Sequence, residues 1–185
     1  MLSRLLYTNP VCLLAIHNPR NVMVLTWLTP INNEGHFVCS INKNRSTAKH
    51  ITTNKLRQFT LNVPVHGMED LILSIGSSHQ KETVDKFSLF NIKTCQPGWT
   101  DGDPSSPLIS IADCVAHMVC NIDRIEPEID PQHYILFCHI SQGFVKSSYW
   151  TGKLFKPTNP TTPPYLTFFG SQKFGLVTES APEST

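Results

Sequence analysis

A chain of 185 residues is long enough to bury one core and short for two. Its formal net charge of +1, with only 16% charged residues, lacks the basic surplus that is typical of nucleic-acid-binding proteins. The apolar runs are a handful of residues long, against roughly 20 for a membrane-spanning helix, and none has the flanks of a signal peptide. We therefore expect a soluble, cytoplasmic protein with no nucleic-acid or membrane partner.

The predicted secondary structure is dominated by strands. Six segments have the β-branched and aromatic content of strands; in chain order they are residues 11–16, 22–28, 37–41, 59–63, 115–125 and 133–145. Helices are predicted over residues 47–55 and 69–76, with a helical turn over residues 84–90. A sheet of this many strands leaves long exposed edges unless it closes on itself. We therefore predict a mainly β fold, a closed or nearly closed antiparallel barrel with a few peripheral helices.

The remaining segments are predicted to be irregular. Residues 94–106 contain two prolines and two glycines, which is typical of a loop. Residues 149–166 are apolar and broken by prolines, which suits an arm reaching across to a second subunit. We expect one domain over residues 1–177, followed by a polar, disordered tail over residues 178–185.

The cysteines and histidines do not indicate a metal site. The six cysteines lie mostly in apolar segments without Cys-x-x-Cys spacing, so we expect reduced, structural thiols. His133 and His139 would share one face of a strand, but six residues separate them by about 20 Å. No metal ligand is predicted.

The stretch "SINKNRSTAKHI", Ser40 to Ile51, combines features of an anion site. A predicted strand ends here and a helix begins, with Ser46 or Thr47 as its expected N-cap. A helix N-terminus presents unpaired N–H groups and a partial positive charge, and Arg45 adds a forked donor that suits phosphate. The alternative is an ordinary capped surface helix with basic residues nearby, because N-caps are common.

Several motifs, in order and spacing, resemble the flavin reductase-like FMN-binding split-barrel family. They are "NPVCLLAI", "NVMVLTWLTPI", "FVCSINKNRSTAKHI", "FTLNVP" and "VDKF", and the similarity covers about residues 7–174. The resemblance implies an antiparallel split barrel with Greek-key connections and a bound FMN. It also implies a homodimer with the flavin sites at or beside the subunit interface. In this family the loop before the helix at residues 47–55 holds the FMN phosphate.

The resemblance assigns each part of FMN to residues of this chain. Arg45, Ser46 and Thr47 are expected to bind the phosphate, and Ser40 and Asn42 lie within reach of the ribityl hydroxyls. The ring falls beside one strand, whose residues are Met23, Val24, Leu25, Thr26, Trp27 and Leu28. The Thr26 hydroxyl is expected near the reactive flavin N5, which makes it a candidate catalytic group. Trp27 taken alone also suits a plain core residue.

Three further residues are implied by later motifs. Lys86 of "VDKF" lies near the cofactor in the family, where a cation stabilises reduced flavin; alternatively it is a surface lysine paired with Asp85 or Glu82. Phe169 in "FFGSQKFG" is expected to cover the flavin from one side. His133, at the start of "HYILFCHI", matches a histidine that lies near the nicotinamide in some relatives, and a surface position is the alternative.

Two departures from the family pattern bear on the activity. Gln80–Glu82 stand where many members carry Ser-Gly-Arg, and Cys138 and His139 replace a Gly-Glu pair. The commonest family activity predicts an NAD(P)H:flavin oxidoreductase that transfers hydride from nicotinamide to flavin, with NAD(P)H as co-substrate and a monooxygenase or redox protein as acceptor. The altered loop favours the alternative, a flavoredoxin-like carrier that binds FMN tightly and is reduced by a protein donor. A flavin-storing or sensing protein is a third reading.

Overall fold

The computed structural model describes residues 5, 9–78, 85–101 and 105–179. The strands are β1 (Asn9–Pro10), β2 (Cys12–Ile16), β3 (Asn21–Leu25), β4 (Leu28–Pro30), β5 (His36–Asn42), β6 (Gln58–Val63), β7 (Thr94–Cys95), β8 (Ser110–Ile111), β9 (Ala116–Glu126), β10 (His133–Val145), β11 (Leu166–Gly170) and β12 (Lys173–Leu176). The helices are α1 (Ser46–Thr53), α2 (Glu69–Ser77) and α3 (Lys86–Leu89). None of these helices has the length and apolar character needed to cross a membrane.

Seven strands form one curled antiparallel sheet in the order β3-β2-β6-β9-β10-β5-β4. β3 and β4 are the two edges of this sheet, yet only Thr26 and Trp27 separate them along the chain. The sheet must therefore curl until its edges meet, and the chain crosses the gap at these two residues. At the β4 end of the crossing, the Ser40 N–H of β5 donates a hydrogen bond to the Trp27 carbonyl at 2.9 Å. The predicted antiparallel barrel with peripheral helices is confirmed.

The prediction of one strand over residues 22–28 is wrong. β3 ends at Leu25 and β4 begins at Leu28, because the chain leaves one edge of the sheet for the other between them. The apolar run Val22–Leu25 is followed after Thr26 by Trp27 and Leu28, which are also apolar, so the sequence carries no sign of the crossing. The other predicted strands are found with differences of one residue at one or both ends, and 133–145 is found without any.

The apolar core has two layers, one on each face of β2. Cys12, Leu14 and Ile16 point into the barrel. Leu13 and Ala15 point outward and are covered by α2 and by Phe87 of α3. Because both faces of β2 are buried, its sequence is continuously apolar. This packing places α2 beside β3 at the edge of the sheet.

Helix α1 begins one residue earlier than predicted and is capped differently. Arg45 is its N-cap residue and makes no side-chain capping hydrogen bond, so the prediction of Ser46 or Thr47 as the cap is wrong. Thr47 is instead buried with Ala48 and Ile51 on the face that packs against the barrel. The predicted helix over residues 47–55 is therefore found over Ser46–Thr53, with a different cap.

The proline-broken segment over residues 149–166 packs on its own chain. Tyr149 is buried and its hydroxyl donates a hydrogen bond to the Pro163 carbonyl at 2.6 Å. The Phe155 and Tyr165 rings stack with centroids 4.9 Å apart. Trp150 and Leu154 are about half exposed. The role of this segment as an arm that reaches a partner subunit stays a prediction. The exposed side chains of Trp150 and Leu154 are the ones that such a contact would use.

The six cysteines are free, and five of them are buried. Four side chains, those of Cys12, Cys39, Cys120 and Cys138, belong to the barrel interior. Burial raises the pKa of the Cys12 thiol to about 12. A thiol in this environment stays protonated and packs as a small apolar group.

His117 is a buried histidine that the fold holds in its neutral form. Its Nδ1 accepts a hydrogen bond from the Gly98 N–H at 3.2 Å, so Nε2 carries the proton and donates to the Ile111 carbonyl at 2.9 Å. Burial lowers the pKa of His117, and the Lys146 charge lowers it further against the opposing effect of the Ile111 bond.

This histidine makes stability depend on pH. Below the unfolded-state pKa of 6.5, His117 binds a proton in the unfolded chain but stays neutral in the folded chain until its lowered pKa is reached. The free energy of unfolding should therefore be fully retained above pH 6.5 and fall on acidification, by at most about 1.4 kcal/mol per pH unit from this group. Urea unfolding between pH 5 and 7.5 measures the slope. His117→Gln should reduce it and the exposed His66→Gln should not; equal slopes in the wild type and His117→Gln would contradict the assignment.

Candidate functional site

A cavity of about 450 Å³ lies where β3 meets helix α2 and the β11–β12 hairpin. β3 and the residue that follows it contribute Met23, Val24 and Thr26. The opposite walls are mainly apolar and include Ile72, Ile75, Gly76, Phe168, Gln172 and Phe174. Because β3 is an edge strand, alternate N–H and C=O groups along it have no strand partner. The cavity can therefore bind a flat apolar group and offer backbone hydrogen bonds along one side.

A second cavity of about 80 Å³ adjoins the first and shares Met23 and Arg45 with it. Its other lining residues are polar; they are Asn21, Asn44, Ser46, Thr47, Ser78 and Lys86. The first turn of α1 forms one wall, so helix N–H groups and two hydroxyl-bearing residues come together with two cations. This composition suits an anion with several acceptor oxygens.

Local hydrogen bonds shape the loop that enters α1. The Asn42 side-chain oxygen accepts from the Asn44 N–H at 2.9 Å, and its backbone carbonyl accepts from the Arg45 N–H at 3.0 Å. Asn21, at the start of β3, donates from Nδ2 to the Ser46 hydroxyl at 3.3 Å. Asn42 was predicted to reach ribityl hydroxyls, but its side-chain oxygen is used to build the loop. Asn21 was not predicted, and it ties β3 to the polar cavity.

Lys86 gives the polar cavity its electrostatic character. The side chain is buried, and its Nζ donates a long hydrogen bond, 3.5 Å, to the Ile75 carbonyl. Burial lowers the pKa of Lys86 to about 8, and the positive charge of Arg45 contributes to the same shift. Two cations that raise each other's energy at one cavity would both be stabilised by a bound anion.

The alternative of Lys86 as a surface lysine paired with Asp85 does not fit the structure. Asp85 instead caps α3, accepting from the Phe87 N–H and the Ser88 hydroxyl at 2.9 Å each. Its second oxygen also lies 3.6 Å from Arg20 Nε. The other predicted partner, Glu82, lies outside the described residues, as do Gln80 and Lys81 of the altered loop.

Trp27 and His133 lie together beside the strand crossing. Trp27 is 39% exposed, so the alternative of a core tryptophan is wrong. Its ring centroid is 5.3 Å from that of His133. His133 Nδ1 lies 2.9 Å from an Asp130 carboxylate oxygen, and His133 stands opposite Asn42 in the β5–β10 ladder. Ser40 is hydrogen-bonded to the Trp27 carbonyl. Four predicted residues, Trp27, Ser40, Asn42 and His133, therefore lie together at this end of the barrel.

Seven predicted residues line neither cavity; they are the four beside the strand crossing and Leu25, Leu28 and Phe169. Leu25 and Leu28 pack in or against the barrel core, so only their backbone can contact a ligand. Phe169 is 47% exposed and its ring lies against Gly175. Its neighbour Phe168 lines the larger cavity in its place, because successive side chains of a strand point to opposite faces.

The wall contributed by α2 was missed by sequence reasoning, and the C-terminal hairpin was predicted to lie here through Phe169 rather than Phe168. Helical periodicity predicts α2 itself, but not that its Ile72, Ile75 and Gly76 face β3. Gln172 belongs to a two-residue turn with positive φ at Ser171 and Gln172, and Phe174 follows it where the turn brings β12 back along β11. The repeated aromatic residues in "FFGSQKFG" are the only sequence signal for this wall.

The sequence matches no model of a known protein family, and no curated protein matches it. Solved structures do match. The chain superimposes on a flavoredoxin from Methanosarcina acetivorans with a TM-score of 0.73 and 22% identity, over 96% of this chain and 89% of that one. An FMN-binding domain of a flavin reductase-like enzyme from Shewanella baltica gives 0.76 and 17%, over 95% and 90%. The fold is the flavin reductase-like split barrel.

A third split barrel extends the comparison. An NADH:FAD oxidoreductase from Streptomyces globisporus matches with a TM-score of 0.70 and 16% identity, over 97% of this chain and 92% of that one. The split barrel expected from the sequence motifs is confirmed. At these identities the shared feature is the fold, and the chemistry of the site must be argued from this chain's own residues.

Proposed function

We propose that this chain is an FMN-binding flavoprotein. The carrying observation is the pair of adjoining cavities, one large and mainly apolar beside an edge strand, the other small, polar and bordered by Arg45 and Lys86. FMN has the same two parts, a flat ring and a dianionic phosphate. A volume of about 450 Å³ is in the usual range for small-molecule sites.

The residues present fit the group. Arg45, Ser46, Thr47 and Lys86 would hold the phosphate, with charge from the two cations and donors from the hydroxyls and the first turn of α1. The backbone of β3 from Met23 onward would meet the polar edge of the ring. Ser40 remains the candidate for the ribityl chain. These assignments are proposals that rest on the cavity linings and on the hydrogen bonds of the loop.

The lowered pKa of Lys86 gives the proposal a pH signature. Phosphate binding favours the protonated lysine, so FMN affinity should be full below the Lys86 pKa of about 8 and fall above it, by up to about tenfold per pH unit. A guanidinium group does not titrate in this range, and the phosphate is already a dianion. Titration with FMN from pH 7 to 9.5 measures the effect.

Two controls make this prediction specific. Riboflavin has no phosphate, so its affinity should show no fall that depends on Lys86. Lys86→Gln should bind FMN more weakly at pH 7 and lose the dependence on pH. If Lys86→Gln retains the wild-type profile, another group titrates and Lys86 is not at the phosphate.

Within this proposal the activity is NAD(P)H:flavin oxidoreduction. Bound flavin supplies a hydride acceptor, which is chemistry that the protein side chains cannot provide. Thr26 lines the ring cavity and its hydroxyl can donate a hydrogen bond there. His133 is oriented by Asp130 against the exposed Trp27 ring, which offers a planar surface beside the crossing. A homodimer and a cytoplasmic location belong to the same proposal.

The second candidate is an electron carrier of the flavoredoxin kind. It is favoured by Gln80–Glu82, which replace the family's Ser-Gly-Arg, and the flavoredoxin has the highest identity of the three structures compared. A carrier would bind FMN at the same cavities and be reduced by a protein donor.

Anaerobic reduction distinguishes the two activities. The FMN-loaded protein is mixed with NADH or NADPH while its visible flavin absorption is recorded. We expect rapid bleaching with at least one nucleotide, and His133→Asn should slow it without lowering FMN affinity. A protein that holds FMN and stays yellow with both nucleotides is a carrier, which would contradict the oxidoreductase proposal and leave the flavin proposal intact.

A further inference from the structure

A cluster of potential metal ligands lies on the outer face of the barrel. His36 of β5, Asp123 of β9 and His139 of β10 each present a ligand atom, and these atoms all lie within 4.8 Å of one another. Within the part of the chain that the structure describes, this is the one group of three such residues. None of the three lines the cavities described above.

Sheet register and a β-bulge bring the three side chains together. His36 and His139 are direct partners in the β5–β10 ladder, so they share one face. Across the other ladder, Ile122 and Arg124 pair with consecutive residues of β10, which leaves Asp123 as the extra, bulged residue. A bulge re-aims the side chain it carries. Here it brings the Asp123 carboxylate to 2.7 Å from His139 Nδ1.

We propose that His36, Asp123 and His139 form a binding site for one divalent transition-metal ion of the zinc class. Two imidazoles and one carboxylate are ligands that suit Zn²⁺ and its first-row neighbours rather than Mg²⁺ or Ca²⁺. Ligand bonds of about 2.0–2.2 Å place such donors about 3–4 Å apart, so side-chain rotation is enough to close the site. The three residues are partly exposed, and water completes the coordination.

Neighbouring amides orient the two rings. Asn121 Nδ2 lies 3.1 Å from His139 Nε2, and Asn32 Nδ2 lies 3.2 Å from His36 Nδ1. When a metal takes Nδ1 of His139, the ring proton moves to Nε2 and requires an acceptor there. A rotation of the Asn121 amide supplies its oxygen, and Gln58, 2.9 Å from Asn121, can rotate with it. For His139 this provides the second ligand shell that is usual around metal-bound histidines.

The cluster differs from the ordinary histidine–carboxylate pairs of the same chain. His66 and Glu69 also meet at 2.7 Å, but among the described residues no third ligand joins their pair. The metal cluster is also remote from the flavin site, because His36 and Asn42 are the opposite ends of β5, about 20 Å apart. Metal binding can therefore be tested independently of flavin binding.

The test uses the full chain, stripped with EDTA and dialysed. Titration with Co²⁺, followed by its visible absorption, and with Zn²⁺ by calorimetry should give one ion per chain. His36→Gln and His139→Gln should each weaken binding by more than about tenfold, the minimum expected from the effects of second-shell changes. His66→Gln is the matched control and should bind as the wild type does.

Asp123→Asn keeps the shape and a hydrogen-bond acceptor but removes the charge, so it should also weaken binding in a folded protein. Circular dichroism checks that each variant is folded. The proposal is overturned if the wild type takes up neither ion at a ratio of one, or if folded His36→Gln, His139→Gln and Asp123→Asn all bind as tightly as the wild type.

Discussion

Replacing Arg45 by alanine should weaken FMN binding roughly ten- to a hundredfold and leave riboflavin binding nearly unchanged. A hydrogen bond to a charged group contributes about 1.5–3 kcal/mol, which corresponds to that change in dissociation constant. Arg45 borders both cavities, so it lies where the ring and phosphate sites meet. Titration of the stripped protein, followed by flavin fluorescence, measures both ligands.

Two control variants separate phosphate binding from general effects. Arg45→Lys should recover part of the loss, because an ammonium keeps the charge but not the guanidinium fork. Lys49→Ala removes one positive charge from the exposed face of the same helix, away from both cavities, and should bind FMN as the wild type does. If Arg45→Ala weakens FMN and riboflavin equally, Arg45 supports the fold and this cavity is not the phosphate site.

Replacing Gly76 by leucine should weaken FMN and riboflavin equally. Gly76 lines the larger cavity from α2, and a Cβ added there would lie 3.6 Å from Val24 Cγ2, in ordinary contact. The further carbons of leucine must enter the cavity or press on β3. Overpacking of this kind costs about 1–3 kcal/mol, which corresponds to a loss of affinity of roughly five- to more than a hundredfold.

Gly76→Ala is the matched control for this prediction. Its methyl group fits the available space, so flavin affinity should change little, while the helix gains up to about 1 kcal/mol of stability. Thermal unfolding of both variants checks that the leucine protein is folded. A folded Gly76→Leu protein with wild-type affinity for both flavins would place the ring elsewhere.

The two substitutions affect contacts with different parts of the ligand. Arg45→Ala should distinguish FMN from riboflavin, and Gly76→Leu should not. Together they test the division of the site into a phosphate cavity and a ring cavity. A protein in which neither change affects either flavin would contradict the whole assignment.

The sequence predicted most of the strands and the loop that enters α1 because both depend on local patterns. Val22 to Leu25 is a continuous apolar run, which is typical of a buried strand, and a helix begins at Ser46. The crossing at Thr26 and Trp27 could not be predicted, because it depends on how far the sheet curls. The capping of α1 was predicted wrongly because the hydroxyl of Ser46 faces Asn21, on another strand.

The rest of the site depends on contacts between distant segments. Phe168 and Phe169 are equivalent in the sequence, and only the register of β11 with β12 decides which one lines the cavity. The group of His36 and His139 needs both the β5–β10 register and the bulge at Asp123. The sequence gives distances only within a single strand. It therefore shows that His139 is far from His133, but not that His36 lies next to His139.

Uptake of FMN by the purified, stripped chain is the measurement that tests the central claim most directly. Equilibrium titration should show one FMN bound per chain, with the flavin absorption shifted from that of free FMN and with riboflavin bound more weakly. Uptake of less than one FMN per chain at saturation, or equal affinity for FMN and riboflavin, would contradict the assignment of these two cavities.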